Sequence, residues 1–184
     1  MHAQIADFLA DCLQNSVEAG AGYIIINYTV KTGDAIEVAI IDNGKGMSDE
    51  ILKKIQDPFY TDGTKHVKRK VGLGIPFLMQ AVNLSGGTFS VESEVGKGTT
   101  FRFSFDLNNI DTPPQGDVNG AVIQAMMYDG EYELEYNKAV VNQGEEKSYT
   151  VKRTELIDAL GCLSDPSAIK MAKVFLSSQD EDLF

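Results

Sequence analysis

The sequence of 184 residues has no tryptophan, two cysteines and only 16 lysine and arginine residues against 27 acidic ones. The net charge of -11 argues against a general binder of nucleic acid or of anionic membranes, because both need a basic surface. Cys12 and Cys162 are too few for a disulfide scaffold, and neither lies in a CxxC motif. No apolar run reaches the ~18 residues of a membrane span, and the N-terminus lacks a signal-peptide pattern. We therefore expect a cytoplasmic protein that binds neither membrane nor nucleic acid.

Charge and turn residues divide the chain after Asp106. Residues 1–106 carry 10 lysine and arginine residues and 13 acidic ones, whereas residues 107–184 carry 6 and 14. Residues 107–116 include Pro113, Pro114 and Gly116, which favour a loop. We expect a first domain at residues 1–106, a linker at 107–116 and a small acidic C-terminal α/β extension at 117–184.

Helical and extended patterns alternate in residues 1–106. Apolar residues recur at helical spacing from Ile5 to Val17, and helices are also predicted near Asp49–Ile55 and Ile75–Leu84. Strands are predicted at four β-rich runs, Tyr23–Val30, Ile36–Ile41, Thr88–Glu94 and Thr99–Asp106. Helices that alternate with antiparallel hairpins predict a two-layer α+β sandwich.

The C-terminal extension is predicted to contain three strands and two helices. They are the strands Ala121–Tyr128, Tyr132–Val141 and Ser148–Val151 and the helices Glu155–Leu160 and Pro166–Ser177. Two arrangements remain open, a small separate unit or an extension of the first sheet. Cys162 is expected to be a small buried residue.

Two carboxylates and one amide lie at positions where they can take part in proton transfer or ligand binding. Asp11 and Asn15 lie four residues apart on the first helix and share one face. A carboxylate there can take a proton from water and an amide oxygen can bind a hard cation, although such pairs are common on solvated faces. Asp42 ends an apolar strand, where it needs a hydrogen-bond partner such as a purine amino group. A turn in which Asp42 caps the backbone is the alternative.

Glycines and a threonine supply two further signals. Gly72 and Gly74 precede a helix whose N-terminus favours an anion, although Gly-x-Gly before a helix is common. Thr99 shares a strand face with Phe101, Phe103 and Phe105. Its hydroxyl is therefore expected to point to the interior, where it can bond a buried ring.

Residues 48–70 concentrate positive charge in an acidic chain. Six of the ten cations of residues 1–106 lie there: Lys53, Lys54, Lys65, Lys68, Arg69 and Lys70. A basic loop hinged by glycines, between a purine-sized pocket and a helix N-terminus, predicts a lid over a polyphosphate. A solvated mobile loop is the alternative, and both descriptions can hold for one segment.

The order of these signals resembles the GHKL superfamily of gyrase, the heat-shock-90 chaperone, histidine kinase and MutL ATPases. The resemblance covers about residues 5–106 and runs Asp-x3-Asn, Asp-x-Gly-x-Gly, a lid, Gly-x-Gly and Gly-Thr-Thr-x-Arg-Phe. Asn15–Ala21 is most similar to MutL, whereas Pro58–Thr61, Gly72–Gly74 and Val91–Phe101 are more similar to bacterial histidine kinases. The resemblance implies the Bergerat ATP-binding fold, with ATP and Mg²⁺ as cofactors.

The family pattern implies a role for each matching residue. By this pattern, Asn15 is the Mg²⁺ ligand and Asp11 is the catalytic base. Asp42 accepts a hydrogen bond from the adenine amino group, and Thr99 assists Asp42 in binding the adenine ring. The other cofactor-binding residues are Gly44, Gly46, Met47, Lys65, Gly72, Leu73 and Gly74. Of these, the glycines form the two lid hinges, the second pair also donates backbone N–H groups to phosphate, and Lys65 is the lid cation.

Three departures from the pattern bear on the reaction. Family members that hydrolyse ATP usually carry Glu where this chain has Asp11, so hydrolysis is slowed unless the backbone position compensates for the shorter side chain. Only ten residues precede Asp11, so no phosphoacceptor-His hairpin is expected, and His66 lies in the lid. The strands that histidine kinases carry before the first helix are absent, so the C-terminal strands are candidates to cover that sheet edge.

Two classes of function follow. One is an ATPase domain that slowly hydrolyses Mg-ATP, with Asp11 activating water, or transfers the γ-phosphate in trans to a His or Ser of a partner protein. The other is a non-catalytic regulator in which ATP or ADP sets the lid and the lid sets the affinity for a partner protein. Either class is compatible with a homodimer.

Overall fold

The computed structural model describes residues 4–56 and 74–183, which form six helices and six strands. The helices are α1 (Ile5–Glu18), α2 (Asp49–Gln56), α3 (Gly74–Leu84), α4 (Val118–Met126), α5 (Arg153–Leu160) and α6 (Pro166–Leu183). The strands are β1 (Tyr23–Lys31), β2 (Ala35–Asp42), β3 (Phe89–Glu94), β4 (Gly98–Asp106), β5 (Glu133–Asn142) and β6 (Glu145–Lys152). In this part of the chain, no helix combines the length and apolar character that crossing a membrane requires.

The described strands form one mixed sheet in the order β3-β4-β2-β1-β5-β6. Neighbouring strands are antiparallel except β1 and β5, which pair in parallel from Tyr23 with Glu133 to Lys31 with Val141. The strand β5 therefore covers the edge of β1. Of the two arrangements left open by the sequence, the C-terminal strands adopt the extension of the first sheet, while the domain boundaries at 106 and 117 stay predictions.

The helices pack on one face of the sheet, which confirms the two-layer α+β sandwich. Alternate residues of each central strand are buried, as in the series Ile24, Ile26, Tyr28 and Val30 of β1. Helix α1 lies on this face with its apolar stripe, and the ring of Phe8 stacks on that of Phe105 with 6.4 Å between centroids. The polar residues of α1 are thereby held at a fixed place over the sheet.

Two predictions for the C-terminal part were wrong. The run Ala121–Tyr128 is not a strand but belongs to α4, where Asp117 accepts a hydrogen bond from the N–H of Gly120 at the helix start. Most of this helix is buried, so its sequence is rich in apolar and β-branched residues and resembles a buried strand. Cys162 is exposed, whereas burial raises the pKa of the Cys12 thiol to about 12.

The segment before α4 is bound to the first turn of α1. The N–H groups of Ile5 and Ala6 donate to the carbonyls of Pro114 and Gln115, each at 2.9 Å. These bonds satisfy two of the four N–H groups that a helix start leaves unpaired. Gly116 has a φ of +72°, and a Cβ there would lie 2.1 Å from Gln4 Oε1. The C-terminal part is thus attached directly to the helix that carries Asp11 and Asn15.

We expect residues 1–106 not to form a stable protein by themselves. Truncation after Asp106 would expose the edge of β1 and remove the buried Val122, Leu134 and Tyr136 from the core. Limited proteolysis of the full chain, with fragments identified by mass spectrometry, measures this. Release of a folded 1–106 fragment with cooperative thermal unfolding would contradict the expectation.

Candidate functional site

Asp42 is a buried carboxylate at the end of β2, with 7% of its surface exposed. Its Oδ2 accepts from Ser16 Oγ at 2.8 Å, and its Oδ1 accepts from the N–H groups of Gly44 at 2.9 Å and Thr99 at 3.2 Å. A carboxylate offers about four acceptor positions. Donors from the described residues occupy three of them, so within this part of the chain one position on Oδ2 is left. The hydrogen bond from Gly44 is the backbone cap by Asp42 that the sequence allows as the alternative to ligand binding. It is made to Oδ1, so it does not occupy the remaining position on Oδ2.

Strand register places Thr99 directly beside Asp42. The two residues are paired across β2 and β4, and Ser93 of β3 is in turn paired with Thr99. Thr99 is 7% exposed, as the alternation with Phe101, Phe103 and Phe105 predicts. Its hydroxyl lies 2.9 Å from Ser93 Oγ, which also donates to the carbonyl of Gly98 at 2.9 Å. Asp42, Thr99 and Ser93 therefore form a small polar area at the end of an otherwise apolar sheet face.

The loop that follows Asp42 is held by neighbouring elements. Lys45 donates its N–H to the carbonyl of Ala19 at 3.0 Å, and Met47 donates to Ser93 Oγ at 2.9 Å. Gly46 has a φ of +65°, and a Cβ on it would lie 2.0 Å from the carbonyl oxygen of Glu94. The position therefore requires glycine. These contacts favour a fixed turn at Gly44 and Gly46, and the hinge proposed there stays a prediction.

Asp11 and Asn15 lie one turn apart on α1, and both side chains are half-buried. The carboxylate of Asp11 lies against the start of α3, since a Cβ on Gly74 would be 2.3 Å from Asp11 Oδ2. Within residues 4–56 and 74–183, no hydrogen-bond partner is seen for the side-chain amide of Asn15. Ser16 follows Asn15 and is bonded to Asp42, so the backbone of α1 at Asn15 lies near the end of β2.

Three predicted site residues lie outside the described residues: Lys65, Gly72 and Leu73. The same holds for His66 and for residues 57–70 of the predicted lid. The structure thus brings together Asn15, Asp42, Gly44 and Thr99 at one end of the sheet, with Asp11 beside Gly74 on the same side of α1 as Asn15. Met47 is half-buried against the core at the exit of the Asp42 loop.

Sequence reasoning missed three residues that shape the site. Ser16 is 1% exposed among the apolar residues of α1, and a polar residue on an apolar helix face was the signal that could have revealed it. Ser93 had no such signal, because its role depends on the pairing of β3 with β4. Tyr128 lies beyond α4, and its pKa is raised first by burial and then by the negative charges of Asp11 and Glu18. A neutral phenol of the C-terminal part therefore stands near the acidic face of α1.

The described residues contain no group of three or more His, Cys, Asp or Glu side chains that would hold a metal ion. A cation bound at the amide oxygen of Asn15 would therefore need further oxygen ligands from water or from a bound anion. This is the usual way in which Mg²⁺ is bound beside phosphates.

Comparison with known proteins places this arrangement in a family. Residues 3–109 match the family described as "Histidine kinase-, DNA gyrase B-, and HSP90-like ATPase". Sporulation kinase C of Bacillus subtilis (strain 168) is 32% identical over 107 residues, covering 58% of this chain and 24% of that protein. Sensor histidine kinase ZraS of Escherichia coli (strain K12) is 28% identical over 114 residues, covering 61% and 24%. The chain thus spans about a quarter of the length of these relatives.

A solved structure shares the fold over a larger part of the chain. It is the crystal structure of the N-terminal domain of a DNA repair protein, with a TM-score of 0.50 and 14% identity. The likeness covers 82% of this chain and 53% of that one, and at this identity it shows the fold alone. Because 82% exceeds the share matched by the family, the common fold includes residues after 109.

Proposed function

The chain belongs to the family of histidine kinase-, DNA gyrase B- and HSP90-like ATPases, and we propose that it binds Mg-ATP beside Asp42 and Asn15. The observation that carries the proposal is the Asp42 carboxylate, which is buried and held by three donors, and to which residues 4–56 and 74–183 leave one acceptor position on Oδ2. An exocyclic amino group is a donor that fits this position. Asp42 would accept it, while Thr99 fixes the carboxylate from the neighbouring strand.

Asn15 is the residue that we assign to the metal. Its neutral amide oxygen is a ligand type that suits a hard cation, and the carboxylate of Asp11 one turn earlier adds negative charge nearby. Bound Mg²⁺ supplies charge neutralisation for phosphate oxygens. The start of α3 at Gly74 favours an anion, and Gly72, Leu73 and Lys65 are the residues that we propose as further phosphate contacts.

Asp11 is the residue that we assign to proton transfer. Its carboxylate is half-buried, close to Asn15 and to the start of α3, where it would take a proton from a water that attacks the γ-phosphate. Transfer of the γ-phosphate in trans to a His or Ser of a partner protein is the other version of this chemistry. It is favoured by relatives named as sporulation and sensor kinases. We propose a protein partner in the cytoplasm for either version.

The second candidate function is a nucleotide-sensing regulator without turnover. The observation that favours it is the short side chain of Asp11, which reaches one methylene less far than a glutamate would. In this case the binding of ATP or ADP at Asp42 and Asn15 would change the affinity for a partner protein, and no phosphate would be released.

Calorimetric titration of the full chain with ATP, in Mg²⁺ and in EDTA, tests the proposal. We expect one site per chain, with tighter binding in the presence of Mg²⁺. Phosphate release and labelling of added partner proteins then separate hydrolysis, transfer and sensing. An absence of heat and of ligand-induced stabilisation with ATP, with or without Mg²⁺, would contradict the proposal.

Replacing Asn15 by alanine is expected to weaken Mg-ATP binding at least tenfold, because it removes the proposed metal ligand, and loss of a residue that only supports a ligand already costs about 10–100-fold in metal affinity. The affinity for ATP in EDTA should change little. Gln14→Ala is the matched control, since Gln14 lies next on the same helix and bonds Glu18 at 2.8 Å instead of the site. A variant at Asn15 that keeps the full effect of Mg²⁺ would show that this amide is not the ligand.

A further inference from the structure

Helix α6 has one buried face and one exposed apolar face. Met171, Val174 and Phe175 are 58%, 62% and 43% exposed. Spacings of three and four residues place them on one contiguous stripe, which lies beside the buried face that contains Ala172 and Leu176. The other exposed large apolar side chains of the described residues lie outside α6, on other helices or in turns: Ile51, Phe77, Leu84, Val95 and Ile110. The stripe is thus a small apolar surface that nothing in residues 4–56 and 74–183 covers.

The charges along α6 change sign from its start to its end. Lys173 pairs with Asp117 at 3.1 Å and Asp180 pairs with Lys138 at 2.7 Å, so these charges are compensated within the chain. The side chains of three exposed charged residues of α6 form no ion pair within the described residues: Lys170, Glu181 and Asp182. Lys147 Nζ donates to the backbone carbonyl of Asp182 at 3.3 Å. The exposed face is therefore positive near its start, apolar in the middle and negative at its end.

We propose that α6 pairs with α6 of a second copy of this chain, in antiparallel orientation. An antiparallel pair places the positive start of each helix beside the negative end of the other, and it also opposes the two helix dipoles favourably. A parallel pair would place like charges together. The same patch serves both copies, as a two-fold symmetric dimer requires.

The spacing of the side chains fits such a pair. With the two-fold axis level with the middle of Val174 and Phe175, these two residues face each other across the interface, and Met171 faces the small Ser178. At about 1.5 Å per residue, Lys170 lies about 7 Å from the axis and Asp182 about 11 Å, on opposite helices. The remaining offset of about 4 Å is within reach of a lysine side chain.

The small area that one pair of α6 helices can bury determines how tightly two copies are expected to associate. One helix pair buries less than the ~1,200 Å² of typical stable complexes, so association should be weak and visible only at high concentration. Sedimentation equilibrium of the full chain without nucleotide, from about 10 µM to about 1 mM, measures it. We expect a monomer–dimer equilibrium that shifts to monomer in high salt. A wild-type chain that stays monomeric at the highest concentration would overturn the proposal.

Two sets of variants test whether dimerisation uses the apolar stripe of α6 and not another surface. Val174→Asp should weaken dimerisation at least tenfold, while Val95→Asp, at a similarly exposed valine in the turn between β3 and β4, should not.

Lys170→Glu should weaken the dimer, and adding Asp182→Lys to it should restore the dimer by swapping the charges. Circular dichroism confirms that each variant is folded. Dimerisation that is unchanged in Val174→Asp, or not restored by the charge swap, would overturn the antiparallel pair. Because no nucleotide is present, this result is independent of ATP binding.

Discussion

Replacing Asp42 by asparagine is expected to lower the affinity for ATP about tenfold to a hundredfold while the protein stays folded. The side-chain oxygen of an asparagine can still accept from the N–H groups of Gly44 and Thr99. Its amide nitrogen would face Ser16 Oγ, a hydroxyl that can accept as well as donate. Only the acceptor proposed for the adenine amino group is lost. A buried polar group left unpaired costs about 1–3 kcal/mol, which corresponds to the expected change.

Inosine triphosphate provides a matched ligand for this variant, because it carries an oxygen where ATP carries the amino group. The wild-type carboxylate should repel that oxygen, whereas the amide of Asp42→Asn can donate to it. We therefore expect the preference for ATP over inosine triphosphate to shrink or reverse in the variant. Titration of both proteins with both nucleotides measures the four affinities, and urea unfolding checks stability. Equal preferences in the two proteins would show that the purine does not bind at Asp42.

The described helices and strands before residue 107 could be predicted because each has a single buried face. Alternation in β1, β2 and β4 and the helical spacing in α1 follow directly from packing one face on a core. The same rule predicts that Asp42 at the end of β2 is buried and that Thr99 at the start of β4 lies on the core side. Their proximity follows from the pairing of β2 with β4, which belong to different hairpins, so the hairpin pattern alone does not predict it.

Helix α4 could not be predicted by the same rule, because it is covered on several sides. It packs between α1 and α6 on the sheet, so Val118, Val122, Ile123 and Met126 are all buried and no polar face remains to reveal the period. Asp117 at its start was the better signal. A cap residue followed by an apolar run therefore deserves more weight than β-branched composition when both are present.

The contact of Ser16 with Asp42 depends on a tertiary property that a single sequence does not contain. It requires α1 to cross the sheet so that Ser16 lies above the end of β2, 26 residues later in the chain. The placement of Tyr128 near Asp11 likewise requires α4 to pack beside α1. Residues that hold a functional group in place are therefore harder to find from sequence than the group itself.

Replacing Asp11 by asparagine is expected to lower ATP turnover at least tenfold while the affinity for Mg-ATP is kept. An amide has nearly the same shape as the carboxylate but cannot take a proton from water, and general-base catalysis typically contributes about 10²–10⁴-fold. Asp11 is half-buried against the start of α3, so a substitution of equal size should leave the packing at Gly74 intact. Steady-state phosphate release and calorimetric titration measure the two quantities separately.

Glu18→Gln is the control for the loss of one negative charge on the same helix. Glu18 accepts from Gln14 at 2.8 Å, and a glutamine keeps that acceptor, so turnover should stay close to the wild-type value. Equal losses in both variants would mean that charge near α1, rather than a base, supports the reaction. If wild type and Asp11→Asn both bind Mg-ATP without releasing phosphate, hydrolysis is abandoned. Nucleotide-dependent binding of a partner protein then becomes the activity to measure, because binding alone can shift a lid between states.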